Sequence, residues 1–178
     1  MTQLANKAHT PLVWLLLFAA LLGHNTVGFG AVPEPLQAVG SGKARWFTFT
    51  LYQAELFSPS GSFQTLQTAS YPLALSITYK RTIAGQTLVD ATESEWQRLQ
   101  LTHRQEWVTQ LGKLWPDVSD GDNLTFVAHT ADSGEFFFNQ RSLGRIEGAT
   151  VAETFLAIWL SPDTRDPRLR AALIGASS

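Results

Sequence analysis

The chain of 178 residues contains no cysteine. That excludes disulfides, thiolate metal sites and a cysteine nucleophile. Histidine is scarce: of the four, only His103 and His129 lie beyond residue 30. They are not spaced as a ligand pair, both read as surface side chains, and no metal site is expected. A basic face is also lacking. Lys and Arg number 13 against 15 Asp and Glu, a net charge of −2. Lys80-Arg81 and the tail residues Arg165, Arg168 and Arg170 make no extended patch, so nucleic-acid binding is not expected. There is no G-x-S-x-G nucleophile elbow. Gly40-Ser41-Gly42 precedes a strand, not a helix, and so cradles no phosphate. Asp90, Glu93 and Glu95 read as a solvated helix face, and Asp120 and Asp122 flank Gly121 in a turn. Nothing calls for a cofactor, and no catalytic set is assigned.

No apolar run has the length of a membrane span. The longest, Leu12–Leu22, holds eleven residues, where a spanning helix needs about twenty. Lys7 and His9 precede it and the small residues Gly28 and Gly30 follow. This is the form of a secretory signal peptide over residues 1–30, cleaved near Gly30/Ala31. A buried core helix or a retained membrane anchor are the competing explanations. The remaining domain, 31–178, is long enough to bury about 68–70% of its unfolded surface. Without disulfides, it suits a bacterial periplasm, or secretion, with no stable membrane span after cleavage.

What the chain does contain is sheet. Gly40–Phe57 (GSGKARWFTFTLYQAELF) is the longest β-like run and reads as one long strand, with room for a bulge or bend near its end. Phe47, Phe49 and Leu51 fall on one face; Trp46, Thr48, Thr50 and Tyr52 fall on the other. Ser58–Tyr71 is a loop or loose hairpin. Pro72–Lys80 is a second strand, with Leu73, Leu75, Ile77 and Tyr79 on one face. Thr82–Leu101 is helical, presenting Leu88, Ala91, Glu95 and Leu99, with Val89 and Trp96 beside them. Thr102-x-x-Gln105 predicts a capping box for a second helix ended by Pro116. Strands follow at Leu124–Thr130, Glu135–Asn139 and Ser142–Ile146, then helices at Thr150–Leu160 and Pro167–Ile174. Strands and helices are segregated along the chain. That order favours an α+β fold with an antiparallel sheet covered on one face.

The residues suited to ligand contact gather on that sheet. Arg45, Thr48 and Tyr52 lie on the opening run, Tyr79 on the next strand, and Asn139 with Arg141 at a later turn. An apolar pocket with a few polar groups holds small organic molecules, and an arginine at its end would orient a carboxylate or enolate. The same residues also serve as plain core, with their hydroxyls paired to backbone.

Several segments together resemble the bacterial chalcone isomerase-like proteins: the Gly-rich start with its Tyr-x-Ala strand, the Pro-Asp…Gly-Asp turn of 116–122, the Phe-Asn-x-x-x-x-Gly hairpin of 138–144, and the Ile-Trp-Leu…Leu-Arg-x-x-Leu-x-Gly ending. The resemblance runs over roughly residues 36–175. It implies an open-faced β-sandwich, a long antiparallel sheet with helices on one face. In the plant enzymes of this fold, an Arg before the long strand, a Thr in it, and a Tyr and an Asn on the following helix serve the reaction. Here Arg45 is displaced into the strand, Thr48 is one residue out of register, and Gln86–Leu99 holds neither Tyr nor Asn. Other relatives bind fatty acids through an Arg and a Tyr, for which Arg45 and Tyr52 are the candidates. The expectation is an exported, non-catalytic domain binding a small apolar or amphipathic molecule. The alternatives are an isomerase (an intramolecular lyase) acting on an enone through Thr48, Tyr52 and Arg45, or a structural protein whose tryptophans fill the core.

Overall fold

The computed structural model describes residues 35–176; the leader reading of residues 1–30 lies outside them. Six strands follow one another as an antiparallel meander in the order β1 (Gln37–Trp46), β2 (Phe49–Ser58), β3 (Leu73–Tyr79), β4 (Asn123–Thr130), β5 (Ser133–Phe138) and β6 (Arg141–Glu147). Four helices, α1 (Gly85–Arg98), α2 (Gln105–Leu114), α3 (Val151–Leu160) and α4 (Pro167–Leu173), pack on one face. The result is an α+β open-faced sandwich.

The main core lies between sheet and helices. Leu73, Leu75, Ile77 and Tyr79 all point into it from β3, as their period of two requires. Phe126 on β4, Phe136 on β5 and Phe155 on α3 form a nest of rings with centroids 4.6–5.2 Å apart. Trp115 closes on Phe136 at 5.3 Å. The indole of Trp96 donates to the Thr154 carbonyl at 3.0 Å, tying α1 to α3. The opposite face carries a smaller cluster of Phe57, Ala74 and Val127.

The structure corrects the opening run. Gly40–Phe57 is not one strand: Phe47 and Thr48 turn it back on itself, and Trp46 pairs with Phe49. No Gly, Pro or Asn marks this turn, and the aromatic and β-branched residues around it carry strand preference. Short-range pattern therefore extends the strand straight through. Two smaller corrections concern the helices. The buried side of α1 is Gly85, Val89, Thr92 and Trp96, not the stripe through Leu88 and Leu99. The N-cap of α2 is Arg104, with no side-chain cap bond, so Thr102 closes no capping box.

The Gly-rich start has a packing reason. A Cβ at Gly40 would run into the Ala172 carbonyl oxygen, and one at Gly42 would sit 2.8 Å from the Leu169 side chain. Glycine at these two positions lets α4 lie directly on the edge strand β1.

Candidate functional site

Between the β1–β2 hairpin and helices α1, α3 and α4 the helical layer does not close. It leaves a cleft of about 680 Å³. Ala44, Leu51, Ile158, Trp159 and Leu169 make its walls largely apolar. Ala91, Ser94 and Glu95 of α1 face it from one side, and Thr164, Arg165 and Asp166 from the α3–α4 loop and the start of α4.

A bulge shapes the sheet side. Ala44 pairs with Tyr52 and Arg45 with Thr50, so Leu51 is the extra residue of β2. A bulge breaks strict alternation and twists the strand. Leu51 and Tyr52 therefore both line the cleft, although they are neighbours in sequence. Arg45, on the edge strand, lines it beside Ala44.

Tyr52 is the polar group at the centre. The Trp159 indole N–H donates to its hydroxyl oxygen at 2.9 Å, and no protein acceptor takes its own hydrogen among the described residues. Burial pushes the Tyr52 hydroxyl up to about 12; the bond from Trp159 opposes this, and the charges of Asp166 and Glu95 add to it. The group is thus neutral near pH 7 and keeps a proton to donate. Tyr79 packs edge-on behind it, centroids 6.1 Å apart, with its hydroxyl also raised by burial and by Tyr52.

The charged rim divides into satisfied and unsatisfied groups. Glu95 forms an ion pair with Arg165 at 2.7 Å and accepts from Arg98 at 2.9 Å. Arg98 also reaches the Asp163 carbonyl at 2.9 Å, which binds the α3–α4 loop to α1. The Asp166 carboxylate accepts from the Leu169 N–H at 2.9 Å and caps α4. Arg45 is exposed, and its side chain has no ion pair or hydrogen bond among the described residues.

Of the five residues singled out from sequence, Arg45 and Tyr52 meet in the cleft, and Tyr79 stands behind Tyr52. Thr48 is at the exposed hairpin tip, outside the lining. Asn139 sits in the β5–β6 turn, where its amide bonds Asp122 at 2.8 Å and its oxygen accepts from the Asn123 N–H at 2.8 Å. Arg141 begins β6 and is exposed. Sequence reasoning missed Trp159 as the partner of Tyr52, and the Glu95–Arg165 contact. Both join segments far apart in the chain, and no spacing rule signals them. His103 lies against the Trp96 ring and His129 is 3.5 Å from Glu135; neither borders the cleft.

The chalcone isomerase-like family model matches residues 28–175. The chain belongs to the chalcone isomerase-like family. It is 30% identical over 150 residues to an uncharacterized protein of Haemophilus influenzae, covering 83% of this chain and 72% of that one. Among solved structures it is similar to a fatty-acid binding protein of Arabidopsis thaliana, with a TM-score of 0.63 over 84% of this chain and 91% of that one. Identity there is 8%, so that likeness concerns the fold.

Proposed function

We propose that this family member is a non-catalytic binding protein that holds a small amphipathic molecule with a carboxylate, such as a fatty acid, in the cleft. The observation that carries the reading is an arginine without an acidic partner at the rim of an apolar cleft. Its volume of about 680 Å³ falls in the range usual for small-molecule sites, about 300–1,000 Å³. Arg45 would take the carboxylate through charge-assisted bonds, Tyr52 would donate its free hydrogen, and the apolar walls would take the chain. The fatty-acid binding neighbour in Arabidopsis supports this choice of ligand.

An isomerase reading finds less support. Where the plant pattern wants a Tyr and an Asn, α1 offers Ala91, Ser94 and Glu95 to the cleft, and Glu95 is engaged by two arginines. Lipid extraction and mass spectrometry of the purified protein, with titration of a fluorescent fatty acid, test the proposal. Arg45→Ala should weaken binding roughly tenfold or more, as loss of a hydrogen bond to a charged group does. A protein that takes up no fatty acid would sink the reading. Steady chalcone turnover abolished by Arg45→Ala would replace it with the enzyme.

We also infer export to the periplasm by residues 1–30. Among the described residues no helix is long and apolar enough to cross a membrane. Cell fractionation with N-terminal sequencing should find a chain beginning near Ala31. A cytoplasmic protein retaining Met1 would contradict export.

A further inference from the structure

The β1–β2 hairpin ends in an apolar tip. Phe47 is 86% exposed and Phe49 55%, the two exposed large hydrophobics among the described residues. Single apolar residues scattered over a surface need no explanation, but apolar groups gathered in one place do. Phe47 also has a φ of 54°. It takes the first position of a two-residue hairpin loop, where positive φ is usually supplied by glycine, and a bulky side chain is strained there. A strained phenylalanine this exposed is an unusual occupant of a hairpin turn.

Cations surround the tip. The Arg81 guanidinium lies 4.4 Å over the Phe49 ring. Lys80 is beside it, its N–H bonded to the Leu51 carbonyl at 2.9 Å. On the other strand are Lys43 and Arg45, which share a depression with Arg168 and Asp166. All five basic residues are exposed. Three carboxylates lie among them and keep their charge: Asp166 caps α4, Asp120 stands 3.9 Å from Lys80, and Asp122 accepts from Ser119 and Asn139; five cations against these three still leave a positive surplus. A chain of net charge −2 thus gathers positive charge around its most exposed apolar groups.

We propose that this tip docks on the surface of an anionic lipid bilayer. Phe47 and Phe49 enter the interfacial layer, as aromatic and aliphatic groups of membrane-surface proteins do. Lys43, Lys80 and Arg81 meet the anionic headgroups, whose field attracts basic residues near the surface. Charge decides between a bilayer and a second copy of this chain, because a second copy would bring the same cations face to face. The cleft shares Arg45 and Leu51 with the hairpin, so docking sets its mouth beside the lipid. The docking does not depend on what the cleft holds.

The absence of cysteine allows a position-specific test on the full chain. Phe47→Cys introduces a single thiol at the tip, and Gln64→Cys one in the exposed loop beyond the other end of β2. Each is labelled with an environment-sensitive dye and mixed with vesicles of phosphatidylcholine alone, or of equal parts phosphatidylcholine and phosphatidylglycerol. The dye at 47 should shift to the blue on the phosphatidylglycerol vesicles only, and the dye at 64 should not move. Adding Lys80→Gln and Arg81→Gln should weaken vesicle affinity about fivefold per charge, with an unchanged thermal melt. The proposal is overturned by no shift at 47, by equal shifts at 47 and 64 (adsorption through another part of the chain), or by equal response to both vesicle types. A shift at 47 that follows protein concentration without lipid would assign the tip to a second copy instead.

Discussion

The space between sheet and helices is filled at one end and open at the other. Beneath α3, at β4 and β5, Phe126, Phe136, Phe155 and Trp115 interlock, and Phe136 and Ala152 are fully buried. Beside β1 and β2 the facing positions are Ala44, Ala91 and Ser94, and a cleft remains. One layer of helices on one sheet thus does two jobs. The ring-filled end holds the fold, while the end with small side chains keeps room for something else. Trp159 marks the boundary: its ring stacks towards Phe155 at 5.3 Å while its N–H holds Tyr52. A protein whose tryptophans simply fill the core would not be divided in this way.

Substitutions that attack each end should separate them. The largest loss is expected at the filled end: Phe136→Ala should cost about 3–5 kcal/mol, read from urea unfolding. Overpacking the same region through Ala152→Leu should cost about 1–3 kcal/mol. At the open end, raising the pH should act through Tyr52. In the unfolded chain its hydroxyl ionises near the ordinary tyrosine value of 10.0, in the folded one at about 12. Above pH 10 the unfolded state therefore holds fewer protons, and stability falls as pH rises. The contribution is fully present below pH 10 and is lost on the way to about 12; Tyr52→Phe should make that limb of a pH–stability curve shallower, with Tyr71 and Tyr79, whose hydroxyls burial also raises, supplying the remainder. At the hairpin tip, Phe47→Gly should raise stability by about 1 kcal/mol by relieving the positive φ, while weakening vesicle binding. A melt that drops instead would show that Phe47 serves the fold.

The filled end was the more legible in sequence. Leu73, Leu75, Ile77 and Tyr79 alternate as one face of a strand should, and Pro116 stops its helix where expected. The open end was not, because its shape depends on local breaks in pattern. Alternation read through Phe47-Thr48 as though the strand continued, which put Thr48 on the face of Tyr52; the turn sends it to the tip. The bulge at Leu51 shifts the parity again, and neither feature has a glycine or proline to announce it. Arg45 and Tyr52 stand out by their chemistry, since an arginine and a tyrosine near one apolar strand are visible without geometry. Trp159 and Glu95 are site residues only through the packing of α1 and α3 on the sheet, because each acts on a partner from another segment.

The smallest stability effect should carry the clearest functional one. Ala91 is exposed, lies on α1 and borders the cleft. Leucine there meets open space, and alanine and leucine are both good helix formers. Ala91→Leu should therefore change unfolding free energy by no more than about 0.5 kcal/mol. Its added branches would occupy volume that a bound chain needs, so uptake of a fluorescent fatty acid should fall severalfold while the melt stays in place. The same increase in size at Ala152 reverses the balance, harming the fold and leaving the cleft walls untouched. If Ala91→Leu instead unfolds the protein as readily as Ala152→Leu, the two ends are packed alike and the cleft is not a place kept open for a ligand.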